Sequence, residues 1–266
     1  MGEIAGLYYE ERGADRAVPL ILSAGLGGSA SYWAPNSGAL AEHHRVIGYD
    51  HRGTGRSVRE VEGVLSVEQM ADDIVALMDG LGLERAALIG HAAGGLAGLA
   101  LALKAPERLA RLVVVNGWAQ LDPYTGRCFD ARLSLLQGGG VRAYLRAQPL
   151  FLYPPQWSSD HHDELEREEE DQVAAFPGAE MIRRRIAAVR RFDIADRLGE
   201  ITVPSLFLAA DDDMLVPNAC SERLAEGVPG ATLARLRTGG HACNVTRPEN
   251  FNTGLIDWLA DLSRES

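Results

Sequence analysis

Gly90-His91-Ala92-Ala93-Gly94 follows the apolar run Ala86 to Ile89 and leads into a stretch with helical patterning. In the form Gly-x-Ser-x-Gly, such a sharp strand-to-helix turn pushes one side chain up into a pocket, and its glycines let the flanking backbones approach closely. Here the nucleophile-elbow position is Ala92, whose side chain is one methyl group. No acyl-serine can form there, so any chemistry has to come from the rest of the site.

Outward from that turn, short apolar runs alternate with helix-like stretches: Pro19 to Ala24, Arg45 to Tyr49, Ala86 to Ile89, Leu112 to Val115, Pro204 to Ala209 and Thr232 to Leu236. The alternation predicts an α/β fold, a mostly parallel twisted sheet with helices on both faces. From Ser66 to Leu81, apolar residues at Met70, Ile74, Leu77, Met78 and Leu81 share one helical face, and Ser66 with Gln69 has the spacing of a capping box. A second capping box is expected at Thr246 and Glu249, ahead of the stripe Phe251, Leu255, Trp258 and Leu259. Residues 120–196 break the alternation with Gly138-Gly139-Gly140, Pro154-Pro155, an acidic run from Asp163 to Asp171 and the cluster Arg183-Arg184-Arg185. They are expected to form a helical cap inserted into a core made of 1–119 and 197–266. The acidic run reads as a solvated helix face, and the arginine cluster does too unless one member faces an anionic ligand.

At 266 residues, 46% hydrophobic and 24% charged, the chain suits one large domain with a sizeable core. A net charge of -11 argues against a nucleic-acid or anionic-membrane surface, and no apolar stretch reaches membrane-spanning length. Cys128, Cys220 and Cys243 are an odd set without close pairs, which suggests neither a disulfide framework nor a Cys-x-x-Cys metal site and fits a reducing cytoplasm. The amino terminus lacks a basic segment followed by an apolar run. His43-His44 and His161-His162 have no further ligands at metal spacing and read as surface histidines. Neither a metal nor a cofactor is expected. The expected partner is a small-molecule substrate, with a homodimer as the assembly considered.

Three segments at predicted strand ends belong together, because ligands of open parallel sheets collect beyond the carboxyl ends of the strands. In Ser23-Ala24-Gly25-Leu26-Gly27-Gly28-Ser29, glycines let successive N–H groups point into a pocket, where the Leu26 and Ala93 N–H groups would form an oxyanion hole. A nucleotide-binding fingerprint is the weaker reading of that loop, since no third glycine and helix start arrive at the required spacing. Ala210-Asp211-Asp212-Asp213-Met214-Leu215-Val216-Pro217 places acidic residues after the strand at Pro204 to Ala209. Thr238-Gly239-Gly240-His241 follows the last strand, and a carboxylate behind His241 would fix its tautomer and stabilise its protonated form. Around these, Trp118 and Tyr153 are candidates for an apolar wall or for core packing. Gly25 lies in the donor loop. Arg127 and Arg132 are candidate positive groups for an anionic substrate, as is Arg52, whose alternative is to brace its own loop. Cys243 is rejected as a nucleophile, since nothing in the sequence points to a lowered thiol pKa.

Together with Asp50-His51-Arg52-Gly53-Thr54-Gly55-Arg56-Ser57, this order of elbow, acid and histidine resembles the alpha/beta-hydrolase superfamily across nearly the full chain. The resemblance implies Asp213 as acid, three residues before the Val-Pro pair, His241 as base, and Leu26 and Ala93 as oxyanion donors. Asn116-Gly117-Trp118, Arg127-Cys128-Phe129, Gln148 to Pro154 and Gly239 to Thr246 resemble more narrowly the RutD-like aminoacrylate/carbamate hydrolases of the Rut pathway of pyrimidine (uracil) degradation, a family that itself carries alanine at the elbow. That likeness implies a hydrolase acting on C–N bonds, converting 3-aminoacrylate to malonic semialdehyde and ammonia or carbamate to ammonia and carbon dioxide.

A serine hydrolase stripped of one triad member retains about 10³- to 10⁴-fold catalysis over water. That is roughly 4 to 5.5 kcal/mol of barrier, small for an amide but useful for a substrate that decomposes by itself. His241, oriented by Asp213, would then exchange protons with substrate and water. Two rivals stand beside this reading: a serine esterase whose nucleophile has been replaced by alanine, and a non-catalytic ligand-binding pseudoenzyme.

Overall fold

Eight strands, β1 (Gly2–Ile4), β2 (Leu7–Arg12), β3 (Leu20–Ser23), β4 (Val46–Tyr49), β5 (Ala86–His91), β6 (Leu109–Val115), β7 (Ser205–Ala210) and β8 (Thr232–Leu236), form one sheet in the order β1-β2-β4-β3-β5-β6-β7-β8. The computed structural model describes residues 1–14 and 18–260. Every pairing from β4 through β8 is parallel, whereas β1 and β2 add an antiparallel hairpin at one edge. The six runs read from sequence are the six parallel strands. The hairpin was not foreseen, because its turn is Ala5-Gly6 with φ of 51° and 77°. Such a turn is usually flagged by Asn or Asp ahead of glycine, and here alanine occupies the left-handed position.

The chain leaves β3 toward β4 and then returns across it to β5, so the sheet reverses its winding direction between β3 and β5. A crevice opens at the carboxyl ends of strands at such a point. Alternate residues of the central strands feed two cores: Ile21, Leu88 and Val114 face one layer, while Leu22, Ile89 and Val113 face the other.

Helix α1 (Ala34–Ala41) follows β3, α2 (Val67–Gly80) follows β4 and α3 (Ala93–Lys104) follows β5. The capping box at the head of α2 is formed in both directions: Gln69 N–H donates to Ser66 Oγ at 3.2 Å and Ser66 N–H to Gln69 Oε1 at 3.0 Å. Between β6 and β7 lie the helices α4 (Pro123–Arg146), α5 (Gln148–Leu152), α6 (Pro155–Asp160), α7 (His162–Ala174) and α8 (Ala179–Arg191). Gly140, at φ 73°, breaks α4 into two arms. The acidic run lies on α7, which buries no residue. In the arginine cluster Arg185 departs from the solvated expectation: it joins the buried stripe Met181, Ile182, Ile186 and Val189 of α8 and is itself fully buried.

Helices α9 (Ala219–Gly227), α10 (Cys243–Thr246) and α11 (Pro248–Ala260) follow β7 and β8 among the described residues. The second expected capping box is corrected here. Thr246 ends α10, and its hydroxyl donates to Gly239 O at 2.6 Å, so it serves the histidine loop instead of capping the helix that starts at Pro248.

Candidate active site

Ala92 joins β5 to α3 at φ 45° and ψ -113°. A residue other than glycine held in this left-handed region costs on the order of 1–3 kcal/mol and persists only where its surroundings enforce it. They do so here: Ala92 N–H donates to Val115 O at 2.9 Å, and Ala92 O accepts from Leu96 N–H at 2.9 Å. A Cβ at Gly90 would lie 2.4 Å from the Gly94 backbone, and one at Gly94 would lie 2.2 Å from Ser23 O, so β5, α3 and the end of β3 cross too tightly for any side chain. Ala93 N–H is the first amide of α3, and Leu26 N–H lies in the loop after β3. Neither has an acceptor among the described residues.

His241 and Asp213 form a buried pair, with Nδ1 to Oδ2 at 2.7 Å. The other carboxylate oxygen of Asp213 accepts from Leu215 N–H at 2.7 Å and Val216 N–H at 2.9 Å. The neighbouring acids are occupied otherwise: Asp211 pairs with Arg235 at 2.8 Å, and Asp212 accepts from Gly240 N–H at 2.8 Å. With Nδ1–H donated to Asp213, His241 Nε2 keeps a lone pair that meets no protein partner among the described residues.

The carbonyl of His241 accepts from Asn116 Nδ2 at 2.7 Å and from His91 Nε2 at 2.9 Å. Asn116 sits at φ 50° just past β6, and its Oδ1 accepts from Ala210 N–H at 3.1 Å, which ties the ends of β6 and β7 to the histidine loop. His91 meets His241 edge-on, with ring centres 4.6 Å apart, and lies against Tyr32 at 4.8 Å. Burial, and then the neighbouring His241, hold the pKa of His91 well below the ordinary histidine range. Sequence reasoning quoted both residues within motifs but gave neither a role of its own, although each lies just past a predicted strand.

The remaining candidates separate cleanly. Gly25 faces His91, and a Cβ there would come within 2.7 Å of Nδ1. Trp118 is buried with its ring against Phe129, and Tyr153 is half-buried beside Trp157, its hydroxyl pKa pushed up to about 12 by burial. Arg127 is exposed, because α4 turns Thr125, Cys128, Phe129 and Arg132 inward and leaves position 127 on the opposite face. It is not brought to the His–Asp pair. Arg52 pairs with Asp73 at 2.7 Å and donates to Ala5 O at 2.9 Å, bracing its loop. Arg132 is buried, with Nη2 bonded to Tyr144 OH at 2.7 Å and Gln148 Oε1 at 2.8 Å. Cys243 is fully buried, and burial first of all pushes its thiol up to about 12. Among the described residues no group of three or more His, Cys, Asp or Glu is placed to hold a metal ion. A cavity of about 180 Å³ lies among α5 and α7, lined by Gln148, Leu152, Tyr153, His162 and Glu168, but neither His241 nor Ala92 borders it.

A mostly parallel sheet that reverses its winding, a strained turn after β5, and a paired histidine and aspartate on the loops after its last two strands define the alpha/beta-hydrolase class. The sequence matches the alpha/beta hydrolase fold family over residues 18–248, and the chain belongs to that family. It is 53% identical to the protein named "Putative carbamate hydrolase RutD" of Caulobacter sp. (strain K31), over 97% of both chains. It is 48% identical to the protein of the same name from Agrobacterium fabrum (strain C58), over 95% of this chain and 98% of that one. The crystal structure of the enol-lactonase from Burkholderia xenovorans LB400 superposes with a TM-score of 0.87 at 28% identity, covering 97% of this chain and 98% of that chain. Within the fold family the chain is an alpha/beta hydrolase of the RutD type.

Proposed function

We propose that this protein hydrolyses a small, labile anion, carbamate or 3-aminoacrylate, by acid–base work of His241 and Asp213 on substrate and water, without a covalent intermediate. The observation that carries the reading is the His241–Asp213 contact of 2.7 Å, on a histidine that meets His91, the residue just before Ala92, with ring centres 4.6 Å apart. The name shared by the relatives supports the substrate class. Helices α4–α8 serve as the cap over this site.

For 3-aminoacrylate, protonated His241 gives its Nε2 proton to the carbon next to the carboxylate, producing an iminium. Neutral His241 then takes a proton from water as its oxygen adds to the iminium carbon, and the carbinolamine releases ammonia and malonic semialdehyde. For carbamate, the same proton goes to nitrogen as the C–N bond breaks to ammonia and carbon dioxide. Asp213 holds the ring in one tautomer and stabilises the imidazolium, while Leu26 and Ala93 N–H groups receive the negative oxygen.

NMR of freshly generated 3-aminoacrylate, and separately of carbamate, tests this against the spontaneous decay. The wild-type protein is expected to accelerate one of them, and His241→Ala to abolish most of the gain. Acceleration that survives His241→Ala removes the acid–base role. No acceleration of either compound removes the substrate class.

A further inference from the structure

Arg185 reaches the donor loop from α8, with Nε bonded to Leu26 O at 2.8 Å and Nη2 to Gly25 O at 3.4 Å. Nη2 also donates to His51 Nδ1 at 2.9 Å, and Nη1 has no partner. The side chain is fully buried, and among the described residues no carboxylate pairs with it. A buried guanidinium that meets only neutral acceptors is costly, and an apolar side chain of similar volume would fill the same space at less cost. What an apolar side chain cannot do is hold two consecutive carbonyls.

That hold has a geometric consequence. In a trans peptide the C=O and N–H of one plane point in opposite directions. Gly25 O is fixed by Arg185 and by Gly28 N–H at 3.0 Å, so the Leu26 N–H of the same plane is turned away from Arg185. Gly25 must be glycine because of His91, and glycine is the residue whose peptide planes rotate most freely. Arg185 supplies the restraint that Gly25 lacks. His51 extends it: accepting from Arg185 at Nδ1 makes Nε2 its donor, which bonds Ser23 Oγ at 3.1 Å at the other end of the loop.

We infer that Arg185 is a positioning residue, which locks the Gly25–Leu26 peptide from the helical insertion and so aims the Leu26 N–H at the reacting oxygen. The inference rests on the oxyanion role given to Leu26 above. Arg185→Met and Arg185→Lys in the full chain test it, with three readouts. By ¹H–¹⁵N NMR, Arg185→Met is expected to shift and broaden the Leu26 amide while leaving that of Ala93 in place. In turnover of 3-aminoacrylate it is expected to lower kcat at least tenfold with little change in KM. Arg185→Lys is expected to recover part of kcat at pH 7 and to lose it toward pH 9, since a lysine in this site is buried and sheds its proton early. Tyr49, Tyr144, Asp73 and His51 are the other titratable groups facing this position; burial raises the pKa of Tyr49 and lowers that of His51, which moves both away from the range between pH 7 and 9.

An unmoved Leu26 amide with unchanged kcat in Arg185→Met overturns the inference, and so does an Arg185→Lys pH profile parallel to that of the wild type. If Arg185→Met fails to fold, the lysine profile decides alone. Should the wild type turn over neither substrate, the proposed function falls, while the Leu26 amide still decides whether Arg185 sets that peptide.

Discussion

The backbone oxygen of His241 is bonded to the side-chain amide of Asn116 at 2.7 Å, a contact across 125 positions of sequence. Through it the loop bearing the imidazole is fastened to the end of β6, near the middle of the sheet, although β8 itself lies at the rim. Asn116→Ala leaves Ala210 N–H without its acceptor and His241 O with His91 alone. Leaving a buried donor unpaired costs about 1–3 kcal/mol. Urea unfolding should show a loss of that size, and turnover should fall by more than the folded fraction does, because the ring is no longer held at one height. Equal turnover per folded molecule would show that Asn116 serves stability only.

Ala92→Ser restores a hydroxyl at a turn that already has the required backbone shape. We expect no acyl-enzyme burst with p-nitrophenyl acetate, and about a tenfold slower reaction with the native substrate, equivalent to about 1.4 kcal/mol of barrier. The new Oγ would bond His241 Nε2 and occupy the lone pair that water needs. A stoichiometric burst followed by steady ester turnover would instead make this a serine esterase lacking its nucleophile.

His51 and His91 are buried with pKa values held well below the ordinary range, His51 by burial and then Arg185, His91 by burial and then His241. As pH falls below about 6.5, the unfolded chain takes up protons at these sites while the folded chain does not. Their contribution is therefore fully present above that pH and is lost as pH falls toward the depressed folded values, with a slope approaching about 1.4 kcal/mol per pH unit for each residue. Urea midpoints at pH 7.5 and 5.5 should show the decline, and His91→Gln, which keeps a donor for His241 O, should make it shallower. Equal midpoints at the two pH values would contradict the burial of neutral rings.

All three cysteines are buried. Burial first of all raises the thiol pKa of Cys128, pushes that of Cys220 up to about 11 and that of Cys243 up to about 12. Iodoacetamide at pH 8 is expected to leave the folded protein unlabelled by mass spectrometry and to label all three sites in urea. Rapid native labelling of Cys243 would reopen its candidacy as a nucleophile.

The parallel strands β3 to β7 were legible because both faces of each are covered, which leaves apolar runs bounded by turns, whereas β8, at the rim, is largely exposed. The elbow and the His241–Asp213 pair were legible because they follow such runs directly, and Ser66 with Gln69 marked the start of α2 by spacing alone. Thr246 misled: its distance from Glu249 suits a cap, but a hydroxyl goes to whichever acceptor the tertiary fold brings closest. Arg185 was hidden by composition, since three consecutive arginines read as a charged surface. Its helical register with Met181, Ile182, Ile186 and Val189 was the available signal, four apolar neighbours marking position 185 as inward. Asn116 and His91 gave no such signal, because His241, the residue whose carbonyl both hold, lies more than 100 positions away and only the assembled sheet brings them together.

The turn at Ala92 keeps its costly backbone shape although it delivers no attacking atom. What it still delivers is the amino-terminal end of α3, whose aligned peptide dipoles amount to roughly half a positive charge at that point. In a chain carrying a net charge of -11, this places a fixed patch of favourable electric potential at the mouth of the sheet. An incoming anion would be drawn by backbone polarity that no change of side chain at the elbow can erase.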